Sequence, residues 1–187
     1  MKRFNLIMTS VLLTAGFVLS SCGSVALTGR KQLLLVSDQE VYQAGLTQYN
    51  EYIASSQLSS DSKNTALVKN VGQKLAAATE QYLRASGLVS ELQNLAWEFN
   101  LVKDEQVNAF CMPGGKIVVY EGLLTVAQTE AELAVVIGHE IAHAVAKHSN
   151  ERMSQQIMAQ YGMNILAQAL SEKSAALQSA AVSVFGL

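Results

Sequence analysis

The spacing of hydrophobic positions changes character along the chain. Residues 6–19 form a mostly apolar run. From Ser37 the apolar residues recur every three or four positions, as one buried helical face requires. Ser37-Asp38-Gln39-Glu40 has capping-box spacing and predicts a helix to about residue 55, which the polar stretch 55–63 ends. A second helix is predicted over 62–85, with Leu67, Val71, Leu75, Ala78 and Tyr82 facing inward and Gly87 as its stop. Residues 95–102 then alternate aromatic and branched side chains, which predicts a strand, and 107–112 and 116–120 flank Pro113-Gly114-Gly115 as a hairpin. The expectation is a small antiparallel sheet.

Helical spacing returns at Thr129, with Glu132 completing a second capping box. Leu133, Val136, Ile137, Ile141, Ala144 and Val145 predict a helix over about 130–147. The chain is expected to stay helical from about 151 to 170 and again from Ser174. There are no internal repeats and no linker, so the fold class is α+β, mostly helical, with one small sheet.

All three histidines of the chain, His139, His143 and His148, fall within ten residues. On a helix, positions four apart are separated by about 40° and about 6 Å along the axis, so His139 and His143 project side by side and can grip one ion. Glu140 sits roughly 100° from His139 and about 60° from His143, beside the pair rather than between them. That placement suits a carboxylate that takes a proton from a water on the metal. His139-Glu140-Ile141-Ala142-His143 is the H-E-x-x-H arrangement of zinc proteases, in which the ion brings the pKa of its water to about 7 and the glutamate is the general base. The bland alternative is a buried helix that merely carries these residues, but a carboxylate buried there would need a balancing charge.

His148 does not extend the motif. It follows His143 by five residues, where the longer zinc signature needs six with an intervening glycine. On a continuing helix it points about 180° from His139 and is expected to face away, as a helix-end residue.

Composition narrows the class without changing this picture. The 187 residues carry 13 basic and 15 acidic side chains, a balance with no basic surplus for nucleic acid. Residues 1–21 have the layout of a secretory signal peptide: Lys2 and Arg3, an apolar run too short for a bilayer span, then Leu19-Ser20-Ser21-Cys22. Cysteine after Leu-Ser-Ser resembles the lipobox of bacterial lipoproteins, which would make Cys22 the lipid-bearing end of the mature chain. An ordinary cleaved signal and an uncleaved anchor remain alternatives. Gly23 rather than aspartate leans toward the outer membrane, so the expected location is the cell envelope, on its periplasmic face. Residues 22–36 are then expected to form a lipidated tether that docks through Leu33 to Val36, and 37–187 the catalytic domain. The other cysteine, Cys111, is expected to be an unpaired thiol in a strand, and a role as an extra zinc ligand has no spacing to support it.

Asn108-Ala109-Phe110-Cys111-Met112-Pro113-Gly114-Gly115-Lys116-Ile117-Val118-Val119-Tyr120-Glu121-Gly122-Leu123-Leu124, followed by Ile137-Gly138-His139-Glu140-Ile141-Ala142-His143 and Ala146-Lys147-His148-Ser149, closely resembles the M48 family of zinc metallopeptidases. Thr28-Gly29-Arg30-Lys31-Gln32-Leu33 resembles the leading segment of its lipoprotein members. The resemblance implies a zincin-like metalloendopeptidase of the gluzincin type, with one Zn²⁺ per chain held by His139 and His143. Its implied substrates are unfolded or misassembled envelope proteins. It also implies that Asn108, Ala109 and Phe110 line the cleft and pair with an extended substrate by strand addition.

The third ligand in that family is a glutamate on a later helix. After His143 this sequence offers only Glu151 and Glu172. Glu151 would lie about 12 Å along a continuous helix from His143, too far for a metal bond of about 2 Å. Glu172 lacks the family pattern but could reach back on a returning helix, and the sequence is expected to stop short of the third ligand. A second function class therefore stands beside the peptidase: an envelope lipoprotein that uses the same fold as a chaperone-like binding module.

Overall fold

The computed structural model describes residues 22–171, Ala180 and Val184. In chain order the elements are β1 (Cys22–Ser24), β2 (Lys31–Leu33), α1 (Asp38–Ser55), α2 (Ser62–Ala85), a 3-10 turn (Val89–Leu92), β3 (Glu98–Val102), β4 (Ala109–Met112), β5 (Lys116–Tyr120), a second 3-10 turn (Glu121–Thr125), α3 (Glu130–Val145) and α4 (His148–Ser171). Both capping boxes form. The Ser37 hydroxyl accepts the Glu40 N–H at the start of α1, and the Thr129 hydroxyl accepts the Glu132 N–H at the start of α3.

Every residue of β5 is buried, so it needs cover on both faces and a partner on both edges. The three-stranded sheet has the order β3-β5-β4. β4 and β5 form the expected antiparallel hairpin, whose turn places Gly114 at φ +83 and Gly115 at φ +77, where a side chain would be strained. β3 runs parallel to β5, with Glu98 opposite Lys116 and Val102 opposite Tyr120. The sheet is therefore mixed and not wholly antiparallel. The segment after β3 crosses the end of β5, where the Gly122 N–H donates to the Asp104 carbonyl at 2.8 Å, and so delivers the chain to the opposite edge.

Alternation along the strands divides the core in two. Phe99, Leu101, Ile117 and Val119 pack with Val68, Val71 and Leu83 of α2 and with Leu133, Ile137, Ile141 and Val145 of α3. Val102, Met112, Val118 and Tyr120 pack with Val41 and Tyr49 of α1 and with Met153 and Ile157 of α4. The buried lysine of β5, Lys116, donates to the Ala96 carbonyl at 2.7 Å and pairs with Glu98 at 3.3 Å.

The inner face of α2 differs from the periodicity estimate. Val68, Val71, Gly72, Ala76 and Leu83 are buried, whereas Tyr82 is 60% exposed and Ala78 is also outside. Gly72 accounts for this shift. With no side chain there, the Phe99 ring rests directly against the helix, and a Cβ would collide with it.

Residues 22–36 fold as a hairpin and dock at Leu35 and Val36, within the segment expected to dock. β1 and β2 pair antiparallel, Cys22 opposite Leu33, and the segment docks on α4. The Leu35 N–H donates to the Ser154 hydroxyl at 2.9 Å, Asn150 donates to the Val36 carbonyl at 3.0 Å, and Arg30 grips Glu151 through two bonds of 2.8 and 2.6 Å. The expected signal peptide, and the expected helix from Ser174, lie outside the described residues. Among the described residues no helix is long and apolar enough to cross a membrane.

Gly72→Ala should test the α2 contact. Alanine in a helix ordinarily gains about 1 kcal/mol over glycine. Here the collision with Phe99 should reverse the sign, for a net loss of about 1–3 kcal/mol, read as a lower urea midpoint. A raised midpoint would show that the ring yields.

Candidate active site

α3 presents the three candidate residues because its other side is fully committed. Leu133, Ile137, Ile141 and Val145 recur every four residues and are all buried. The same turns carry His139 to the exposed side and leave Glu140 and His143 half-buried at the margin. The Nε2 atoms of His139 and His143 face each other at 2.9 Å, with ring centroids 4.5 Å apart. Two imidazole lone pairs directed at one point are what a zinc ion takes from an i, i+4 pair. The donor set fits zinc as two of its ligands. Among the described residues no third His, Cys, Asp or Glu joins them to complete a metal-holding group.

Glu140 lies under the edge strand β4. Burial raises its carboxyl above the ordinary range, while His139 and the backbone N–H of Cys111 pull the other way without cancelling it. A raised carboxylate pKa favours proton transfer near neutral pH. For His143 burial pushes the imidazole down, and His148, His139 and Arg152 add to this, so its neutral form, with a lone pair on one ring nitrogen, is favoured. Cys111 is unpaired, as expected, and its Sγ donates to the Met112 carbonyl at 3.3 Å. Burial, reinforced by the charge of Glu140, pushes its thiol far up, so it is not poised as a thiolate.

The three cleft candidates on β4 divide by face. The Phe110 ring is turned into the α1 side, edge-on to Tyr52 and Tyr120 at 5.3 and 6.0 Å. Ala109 packs on the α3 side. The Asn108 carbonyl accepts the Tyr120 N–H at 3.1 Å, which sets the ladder so that Ala109 and Cys111 turn their backbone groups away from β5. What β4 offers beside Glu140 is therefore backbone, not the Phe110 side chain.

The premise of one continuous helix through His148 is corrected. α3 ends at Val145 rather than near residue 147, and Lys147 adopts φ 55, the one positive φ at a non-glycine among the described residues. The chain turns there and restarts as α4 at His148. This elbow brings His148 Nδ1 to within 2.5 Å of His143 Nδ1. The angular argument assumed one continuous helix, and the break removes that premise. Left-handed backbone costs a side-chain-bearing residue about 1–2 kcal/mol, and the Lys147 ammonium supplies offsetting contacts. It donates to Asp38 at 2.6 Å and forms an ion pair with Glu91 at 2.9 Å. Asn150, one turn on, donates to Asp38 at 2.9 Å. Nothing in the residue pattern announced the elbow except the clustering of the histidines themselves. Glu151 is occupied by Arg30, whose hydrogen bonds hold its carboxyl below the ordinary range. Glu172 lies outside the described residues.

The profile of Peptidase family M48 matches residues 62–186, which include both faces of this site. The chain belongs to peptidase family M48. Over 74 residues it is 46% identical to a protein of Arabidopsis thaliana named mitochondrial metalloendopeptidase OMA1, a stretch covering 40% of this chain and 15% of that one. It is 26% identical over 129 residues to the OMA1 metalloendopeptidase of Bos taurus, covering 68% and 24%. It is 32% identical over 89 residues to a putative beta-barrel assembly-enhancing protease of Vibrio cholerae, covering 48% and 16%. The matched stretch thus spans a quarter or less of the length of each of these three M48 relatives.

The elbow can be tested by two substitutions at one position. Lys147→Met keeps the strained backbone and leaves Glu91 Oε2 buried without its cation, which should cost about 1–3 kcal/mol in urea unfolding. Lys147→Gly loses the same ion pairs but relieves the left-handed strain, so it should lose less by about 1 kcal/mol. Equal losses would mean that the turn carries no strain.

Proposed function

We propose that this chain carries the catalytic core of a zinc-dependent endopeptidase, with His139 and His143 as two metal ligands and Glu140 as general base. The observation that carries the proposal is the convergence of the two Nε2 atoms at 2.9 Å on the helix that also holds Glu140 against the Cys111 N–H. Zinc, when bound there, would act as a Lewis acid toward a peptide carbonyl and toward water. Glu140 would take a proton from the attacking water and pass it to the leaving amine, and its raised pKa suits both halves of that exchange. Catalytic zinc takes three protein ligands, so the proposal requires a donor from outside the described residues, where Glu172 falls.

The substrates in this proposal are unfolded or misassembled proteins of the cell envelope. β4 is an edge strand, and the outward groups of Ala109 would pair with any extended backbone whatever its side chains, which suits unfolded chains. The Vibrio cholerae relative, named for beta-barrel assembly, supports the envelope setting. In the same proposal a lipid on Cys22 holds the domain at the membrane, and the docked β1–β2 hairpin would keep the peptidase close to it.

Elemental analysis of the purified chain should find close to one zinc, lost on His139→Ala or His143→Ala. Glu140→Gln should retain zinc while turnover of an unfolded protein substrate falls by about 10²–10⁴-fold. Stoichiometric zinc in both histidine variants would overturn the ligand assignment, and retained hydrolysis in Glu140→Gln the general base. Zinc without any turnover in the unmutated chain would favour the chaperone-like binding module. Cys22→Ser should move the chain expressed with its own leader from the membrane fraction to the soluble fraction, and an unchanged distribution would remove the lipid anchor.

A further inference from the structure

From the elbow between α3 and α4 we infer that His148 is the positioning residue that fixes the tautomer and ring plane of His143, so that His143 presents a bare Nε2 to the metal. The inference rests on the ligand assignment proposed above for His143.

Three imidazoles stand in a row. His139 Nε2 faces His143 Nε2 at 2.9 Å, and His143 Nδ1 faces His148 Nδ1 at 2.5 Å. A neutral imidazole carries one proton, so the two nitrogens of His143 cannot both be lone pairs. Two proton orders satisfy the row. In the first, the His139 Nε2–H donates to His143 Nε2, and the His143 Nδ1–H donates to His148 Nδ1. In the second every proton is reversed, and His143 carries its hydrogen on Nε2, the atom that must face the ion. Only the first leaves His143 ready to bind.

In the first order His148 is an acceptor through Nδ1, with its own proton on Nε2. A metal-bound histidine commonly donates its other N–H to an oxygen or nitrogen acceptor, and such outer partners set ligand orientation and basicity. His148 is held in that place by the chain and not by chance. The left-handed Lys147, its bonds to Asp38 and Glu91, and the buried Asn150 clamp the first turn of α4 against α1. Glu151, the nearest carboxylate along α4, is engaged by Arg30. For zinc to bind, His139 would have to carry its proton on Nδ1 instead of Nε2, an exchange its exposed ring can make with water, while the His143–His148 bond would stay as it was. Only one proton of the row would need to change place.

The test pairs zinc affinity with a spectroscopic readout that needs neither metal nor activity. In ¹⁵N-labelled, metal-free protein at about pH 8, where imidazoles are neutral, the histidine nitrogen shifts should report His143 as the Nδ1–H tautomer and His148 as Nε2–H. His143 found as Nε2–H would overturn the inference. His148→Phe keeps the bulk of the ring without an acceptor and should weaken zinc binding in chelator competition by about 10–100-fold. His148→Gln restores an acceptor oxygen and should recover most of that loss. Unchanged affinity in the phenylalanine variant would overturn the inference, as would equal weakening in both variants with metal-free melting intact. If both variants melt early, the tautomer measurement on the unmutated chain decides. A chain that binds no zinc at all would sink the ligand assignment, while the proton positions would still be read directly.

Discussion

The phase of α3 is the constraint on which the site depends. Its buried stripe, Leu133-Ile137-Ile141-Val145, is a four-residue ladder pressed into the core formed with Phe99, Leu101, Ile117 and Val119. A helix with one stripe committed has no rotational freedom left, so the directions of His139, Glu140 and His143 are set by aliphatic packing on the opposite side. The candidate residues of the site contribute little to the fold, and those that aim them lie on the opposite side of the helix.

The sheet supplies the second half of the site by an edge. Because β5 is buried on both faces and paired on both sides, β4 is left outermost, with α3 beside it. A side chain from the helix and a main-chain donor from the strand then meet, as Glu140 and the Cys111 N–H do. The N-terminal hairpin stabilises the arrangement from behind, through Arg30 on Glu151 and Leu35 on Ser154.

Much of this was legible in the residues. The two capping boxes, Ser37 with Glu40 and Thr129 with Glu132, started their helices where the spacing placed them. The hairpin was readable from Pro113-Gly114-Gly115, and the facing pair from the four-residue interval between His139 and His143. The parallel pairing of β3 was not, because an apolar strand does not announce which neighbour lies on which edge. The stripe of α2 was displaced because Gly72 looks like a weak helix residue in the sequence and is a seat for Phe99 in three dimensions. The elbow escaped because lysine rarely adopts a left-handed backbone, and the ion pairs that hold it come from Asp38 and Glu91, far off in sequence. A backbone donor such as that of Cys111 leaves no trace in residue identity.

That donor has a consequence for any peptide laid along β4. An edge strand ordinarily offers its outward N–H groups at every second residue, and here the outward Cys111 N–H is also a group that draws the Glu140 carboxyl down. One rung of that ladder therefore faces the proposed general base. A visiting backbone that paired there would compete with the carboxylate for one donor. Pairing at that rung would then bear on the acidity of Glu140 as well.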